Sequence, residues 1–363
     1  MAQRYNQYHE EQNSKKLHQL DEVCQDLPSY VTEYLESLYS SCAVSTRIAY
    51  ANDIKSFLLD MQKQNSYFAK YESIKDIPLE LIGQLDFHDL QHYLNALRTE
   101  KYNKVRKNIT TTEVSNARRL RVRASLSGWF RYLYINHLIS ANPVEGVGKI
   151  KETESKAIDR LSVKESQKLM QGVETGSFGT DRQQKFEEKT RYRDTAIIKV
   201  LLETGIRISE CIGLNLDDID FDEHYFWVIR KGGGADKLYF NDDVAAALKD
   251  YIDLERPQYA SENENAVFMS LRRQRITVRS VQTLMKKYGT AILHKPNLSP
   301  HKLRKTYGTL LYEQTSDLKL VQDVLGHRTP AVTERYYVDH TNKQNNITTD
   351  LYGVLNKKDD SGK

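Results

Sequence analysis

The chain has 363 residues, 39% of them hydrophobic and 28% charged. That is apolar material for two cores of roughly 150 residues each, and it excludes a disordered polyelectrolyte. Three widely spaced cysteines (Cys24, Cys42, Cys211) without a CxxC exclude a disulfide framework or zinc ribbon, while a net charge of +4 says little about partners.

The opening MAQRYNQYHEEQNSKKLHQL is polar and lacks the apolar core of a secretion signal, and no later stretch approaches the roughly 18 uncharged apolar residues of a membrane span. The expectation is a cytoplasmic protein that contacts no membrane, with 1–27 as a polar extension. Periodicity predicts helices over 28–38 and 46–62, the second capped by Ser45 or Thr46 and burying Tyr50, Ile54, Phe57 and Leu58. Another helix begins at Asp86 or His88, with Leu90, Tyr93, Leu94 and Leu97 apolar.

Between Lys101 and Arg131 stand nine basic residues and one acid, Glu113. A helix is expected over 115–134, turning Leu120, Ala124, Leu126, Trp129, Phe130 and Leu133 toward a core. Arg118, Arg119, Arg121 and Arg123 then occupy its other faces, preceded by Lys104, Arg106 and Lys107. An ordinary solvated face accounts for many charge runs, but the density here and the lack of paired acids point to a phosphate-binding surface. No strand alternation is evident before residue 145, so 28–145 reads as an all-helical domain.

Asn142-Pro143 ends that domain, and the polar, glycine-bearing stretch 146–160 reads as a linker. A second domain begins at Leu161. Its stretch 172–189 reads as an exposed loop. A helix over 193–203 follows, burying Ala196, Ile197, Val200 and Leu201, with Gly205 as terminator. The β signal lies at 225–230 and 237–240, joined by a turn at Gly232-Gly233-Gly234 with Lys231 at its mouth. Helices are predicted over 242–254, 279–293, 300–313 and 317–325, and a further one in the tail 342–355.

Four segments of the second domain carry candidate chemistry: Thr204-Gly205-Ile206-Arg207-Ile208-Ser209-Glu210, Arg230-Lys231-Gly232-Gly233, Pro300-His301-Lys302-Leu303-Arg304, and Leu325-Gly326-His327 with Thr333-Glu334-Arg335-Tyr336. Taken singly, Arg207 reads as a surface ion pair, His301 as an ordinary helix histidine, and 317–336 as a helix-turn-helix. Their order and spacing are more specific: Lys231 lies 24 residues after Arg207, and Tyr336 nine after His327.

In these residues the chain resembles the tyrosine recombinase (phage integrase-like) family, and most of all the single-protein Xer recombinases of streptococci and lactococci. LPSYVTEYLESL near the start, the polar insertion before RYRDTAIIKVLLETGIR, and Arg230-Lys231-Gly232-Gly233 carry the closer likeness. The resemblance implies a mainly α, two-domain protein: a helical core-binding domain at 28–145 and a mixed α/β catalytic domain, mostly helical with a small antiparallel sheet, at 161–341. It implies a tail at 342–363 whose helix is exchanged between subunits.

It further implies Arg207 and Arg304 as the two guanidiniums on the scissile phosphate, with His301 on the same helix face as Arg304. Arginine can fork onto two phosphate oxygens where lysine cannot. His327 would donate to the phosphate, and Lys231 would protonate the 5′ oxygen. Tyr336 would attack phosphorus to form a 3′-phosphotyrosine, Tyr337 being the alternative register. Glu210 would orient Arg207, Asp194 is a weaker supporting candidate, and Lys237 would touch DNA. Lys305 stands where many relatives have histidine.

The implied reaction uses no cofactor, no metal and no ATP. Its implied partners are double-stranded DNA with a short inverted-repeat site, a homotetramer on two sites, and a septal DNA translocase, the whole serving chromosome-dimer resolution. A mobile-element integrase working with an excisionase is the alternative with the same chemistry. A non-catalytic DNA-binding protein would not need the full set of six groups. A metal nuclease would draw on Asp217, Asp218 and Asp220, and a zinc site on His301, His327 and His340. The former group sits far in sequence from the Arg/His set, and the latter lacks ligand spacing.

Overall fold

The computed structural model describes residues 7–103, 108–151, 160–176, 187–230 and 233–326. The chain divides into two compact units, Met1–Glu154 and Ser155–Lys363. The fold is mainly helical, with small antiparallel sheets. No described helix is long and apolar enough to cross a membrane.

The first unit contains α1 (Gln7–Cys24), α2 (Ser29–Ser37), α3 (Val44–Gln64), α4 (Leu79–Gly83), α5 (Phe87–Ala96), strands β1 (Arg98–Asn103) and β2 (Asn108–Glu113), and α6 (Asn116–Ile135). Trp129 and Phe130 of α6 pack against Phe57 of α3, and Tyr30 of α2 stacks on Trp129, forming the centre of one core. The polar N-terminal stretch turns out to be helical and to enter that core through Leu20, with Leu27 just beyond the helix. Helix α3 is capped by Ala43 rather than Ser45 or Thr46, and Arg47 in its first turn is buried and donates Nε to Leu35 O at 2.9 Å. Asp86 does cap α5, accepting from His88 N and Asp89 N.

A correction to the all-helical expectation lies at 98–113. An antiparallel hairpin forms there, pairing Arg98 with Glu113 and Tyr102 with Ile109. Thr99, Tyr102, Ile109 and Thr110 to Thr112 favour a strand, and this alternation is hidden in the sequence under the basic residues.

The second unit holds α7 (Val163–Thr175), α8 (Arg191–Thr204), α9 (Ile208–Gly213), a sheet of β3 (Ile219–Asp220), β4 (Tyr225–Ile229) and β5 (Ala235–Tyr239), then α10 (Asp242–Asp250), α11 (Val278–Leu293), α12 (Pro300–Thr315) and α13 (Leu318–Leu325). The sheet order is β3-β4-β5, all antiparallel. Helix α8 is the central element: Ala196, Ile197, Val200 and Leu201 are fully buried, as the apolar pattern requires. Helix α7 runs on to Thr175, into the stretch expected to be an exposed loop at 172–189, since Gly172 lets it close onto Ile292 of α11; Glu187 is buried, and 177–186 lie outside the described residues. The expected helix 242–254 turns π-helical at Tyr251–Glu255, where buried Tyr251 gives its hydroxyl to Met269 N as acceptor.

Candidate active site

Helix α8 ends at Thr204, whose hydroxyl donates to Val200 O at 2.6 Å and accepts from Ile206 N at 3.2 Å. Gly205 follows at φ 63°, with Tyr307 and Leu325 packed against its Cα. This left-handed turn directs Ile206 into the core and leaves Arg207 at the start of α9. One turn on, buried Glu210 accepts Arg207 Nη1 at 2.8 Å and the Arg207 backbone N–H at 3.0 Å. The expected orienting role of Glu210 thus has a geometry: it fixes both ends of the arginine.

Helix α12 starts with Ser299 as its cap and Pro300 in its first turn. His301 and Arg304 lie three positions apart on it, and so share a face. Arg304 is buried and donates to Gly205 O and Leu325 O, tying α12 to the turn before Arg207 and to the end of α13. Surrounding protein, then the cations of Lys305 and Arg304, hold the His301 imidazole below its ordinary pKa of 6.5.

The end of α13 gathers these groups. Val324 O accepts from Arg230 Nη2 at 2.9 Å, Leu325 O from Arg304, and Gly326 O from Arg207 Nη2 at 2.7 Å. Three consecutive carbonyls at a helix C-terminus are thus capped by guanidiniums from three distant segments, where the helix dipole favours positive charge. Gly326 has φ 58° and lies directly before His327 in the chain.

Arg207, Glu210 and Arg304 are therefore brought together, with His301 one turn before Arg304 on α12. Lys231, His327, Tyr336 and Tyr337 lie outside the described residues, as do Lys104, Arg106, Lys107, His340 and the tail 342–363. Lys237 sits on β5 with Nζ 3.9 Å from the Tyr225 ring centre and 5.3 Å from that of Trp227. Asp194 belongs elsewhere: it is buried at the opposite end of α8 from Arg207, bonded to Arg193, Thr190 and Tyr288. Glu187 and Lys287 complete that network.

The carboxylates considered for a metal are each used locally. Asp218 accepts from Asn215 N, Asp217 from Asn265, and Asp220 from the backbone N–H groups of Asp222 and Glu223. Among the described residues no group of three or more His, Cys, Asp or Glu is placed to hold a metal ion.

On α6, Arg118 is exposed, whereas three neighbours are engaged within the fold. Arg121 pairs with buried Asp53 at 2.7 Å, Arg119 donates to Leu94 O, and Arg123 to Val147 O. The acid that answers Arg121 lies 68 residues away, which is why the stretch looks unpaired in sequence. Arg230, which the sequence offers only as part of the Arg230-Lys231-Gly232-Gly233 segment, is bonded to Asp236, Glu210 and Val324 O.

Residues 159–344 match the phage integrase family. The chain belongs to that family. It is a tyrosine-type site-specific recombinase, similar to Xer proteins, those of streptococci among them. It is 32% identical to tyrosine recombinase XerC of Caldanaerobacter subterraneus over 85% of this chain and 82% of the relative. It is 31% identical to tyrosine recombinase XerS of Streptococcus agalactiae over 88% of this chain and 94% of the relative.

Its fold is shared with the XerH recombinase bound to palindromic difH substrate in a post-cleavage complex, with TM-score 0.61 and 17% identity over 89% of this chain and 85% of that one. It is shared also with a lambda integrase dimer bound to a COC′ core site, with TM-score 0.56 and 19% identity over 84% of this chain and 96% of that one.

Proposed function

We propose that this recombinase cleaves and rejoins double-stranded DNA through a 3′-phosphotyrosine on Tyr336, without metal or ATP. The observation that carries the reading is the convergence of Arg207 and Arg304 at the end of α13, directly before His327, with His301 one turn before Arg304 on α12. Two buried or half-buried guanidiniums provide, without metal, the positive charge that offsets the negative charge a pentacoordinate phosphate develops. Tyr336 oxygen bonds to phosphorus and the P–O5′ bond breaks. Lys231 gives its proton to O5′. His301, whose surroundings favour the neutral imidazole, takes the phenolic proton. A free 5′-hydroxyl reverses the step, so the energy of the ester is kept.

Likeness to relatives named XerC and XerS supports an Xer-type recombinase; for it we propose a dif-like inverted-repeat site, four subunits on two sites, a septal DNA translocase as activator, and a role in resolving chromosome dimers. Residues 28–145 and 161–341 would each contact the duplex, the former through Arg118 and the lysines and arginine at 104–107.

A nicked suicide substrate carrying the host chromosome's dif-like site tests the reading, with EDTA present. Wild type should form a covalent protein–DNA adduct and Tyr336→Phe should form none. Adduct with Tyr336→Phe but not Tyr337→Phe would shift the nucleophile by one residue. Adduct from both single variants, or a requirement for magnesium, would sink the proposal.

A further inference from the structure

One guanidinium of the site has no role in that chemistry. Arg230 directly follows β4 and precedes Lys231, and its side chain is only 12% exposed. Its donors reach three separate segments: Nε to Asp236 Oδ2 on β5 at 3.1 Å, Nη1 to Glu210 Oε2 at 3.3 Å, and Nη2 to Val324 O at 2.9 Å. Its backbone closes the turn, with N–H donating to Gly234 O at 2.9 Å and the carbonyl accepting from Gly233 N at 3.0 Å. Gly326 packs on the same group, since a Cβ there would stand 3.1 Å from Arg230 Nε. A planar fork satisfies acceptors on three sides at fixed angles, which an ammonium on a flexible stem does not. Glu210 is thereby shared between Arg207 and Arg230, so the phosphate-binding arginine and the hairpin root are joined by one carboxylate.

We infer that Arg230 is a positioning residue: it docks the root of the lysine hairpin onto the Glu210–Arg207 pair and the end of α13, and so sets where Lys231 delivers its proton. This rests on the proposed roles of Lys231 and Tyr336. The chemistry of the leaving group separates the two. When Tyr336 displaces O5′, the alkoxide needs the lysine's proton. When sulfur replaces the bridging oxygen, the P–S bond breaks to a thiolate, which is stable near neutral pH and needs no acid.

Wild type, Arg230→Ala, Arg230→Lys and Lys231→Ala are compared on two suicide substrates of one sequence, one ordinary and one with a 5′-bridging phosphorothioate at the cleaved position. Adduct from wild type and none from Tyr336→Phe on either substrate secures the underlying nucleophile. Arg230→Ala should then lose about 100-fold in cleavage rate on the ordinary substrate, the scale of a general acid. On the sulfur substrate it should return to within about threefold of wild type, as Lys231→Ala does, with DNA binding by gel shift unchanged. Arg230→Lys keeps a cation beside Glu210 as a guard against misfolding, and should show the same pattern. The inference is overturned if either Arg230 variant cleaves the ordinary substrate at the wild-type rate, or loses equally on both substrates. Equal loss by Lys231→Ala would instead remove the role assigned to the lysine, and the inference with it.

Discussion

At the scale of single residues, the site is held by charges whose partners are internal. Glu210 is buried and meets two guanidiniums, so Glu210→Gln leaves both facing a neutral amide. The expected cost is about 3 kcal/mol in urea unfolding, with adduct formation falling at least about tenfold. His301 gives a pH dependence. Its pKa is depressed in the fold, so below its ordinary value of 6.5 the unfolded chain takes up the proton more readily. The stability it contributes is fully present above that pH and is lost as the pH falls through the folded value. His301→Gln should therefore lose less stability than wild type between about pH 7 and pH 5. Equal slopes would show that the imidazole titrates normally. The arginines of α6 divide in the same way. Arg121→Ala should lower stability by about 1–3 kcal/mol, because Asp53 keeps only Ser125 as a close donor. Arg118→Ala should leave stability alone and reduce the salt dependence of DNA binding by about one unit of slope.

At the scale of elements, the turn after α8 fixes the spacing of the site. Gly205 is at φ 63° and is crowded by Tyr307 and Leu325, so Gly205→Ala combines left-handed strain with a clash. It should destabilise the second unit by about 2 kcal/mol or more by thermal melting, and slow cleavage as Arg207 shifts. The motif TGIR is legible in sequence because backbone geometry demands a glycine there and the next side chains alternate inward and outward. Helix α8 was legible because its apolar residues are fully buried, and the β4–β5 hairpin because β4 is aromatic and β-branched and a glycine turn follows it. The 98–113 hairpin was not, because its strands carry charged and threonine residues rather than an apolar stripe. Helix α1 was missed because it buries few residues. The pairing of Asp53 with Arg121, 68 residues apart, and of Arg230 with Val324 O, 94 apart, is a relation no local pattern encodes.

At the scale of the molecule, each unit has its own core, and unfolding should reflect both. Trp129 is fully buried among Tyr30, Phe57 and Phe130. Trp129→Ala should lower the first unit's transition by about 3–5 kcal/mol and leave the second in place in calorimetry. A shift of both transitions together would mean that the units unfold as one. The capped end of α13 has a consequence for timing. An arginine side chain carries about 2 kcal/mol of rotamer entropy, and three of them are already ordered here on backbone carbonyls. That ordering is completed when the chain folds, so under the proposed mechanism an arriving phosphate would meet arginines that no longer have to find their places. Part of the cost of the proposed first step would then be met by contacts made within the protein, before any DNA is present.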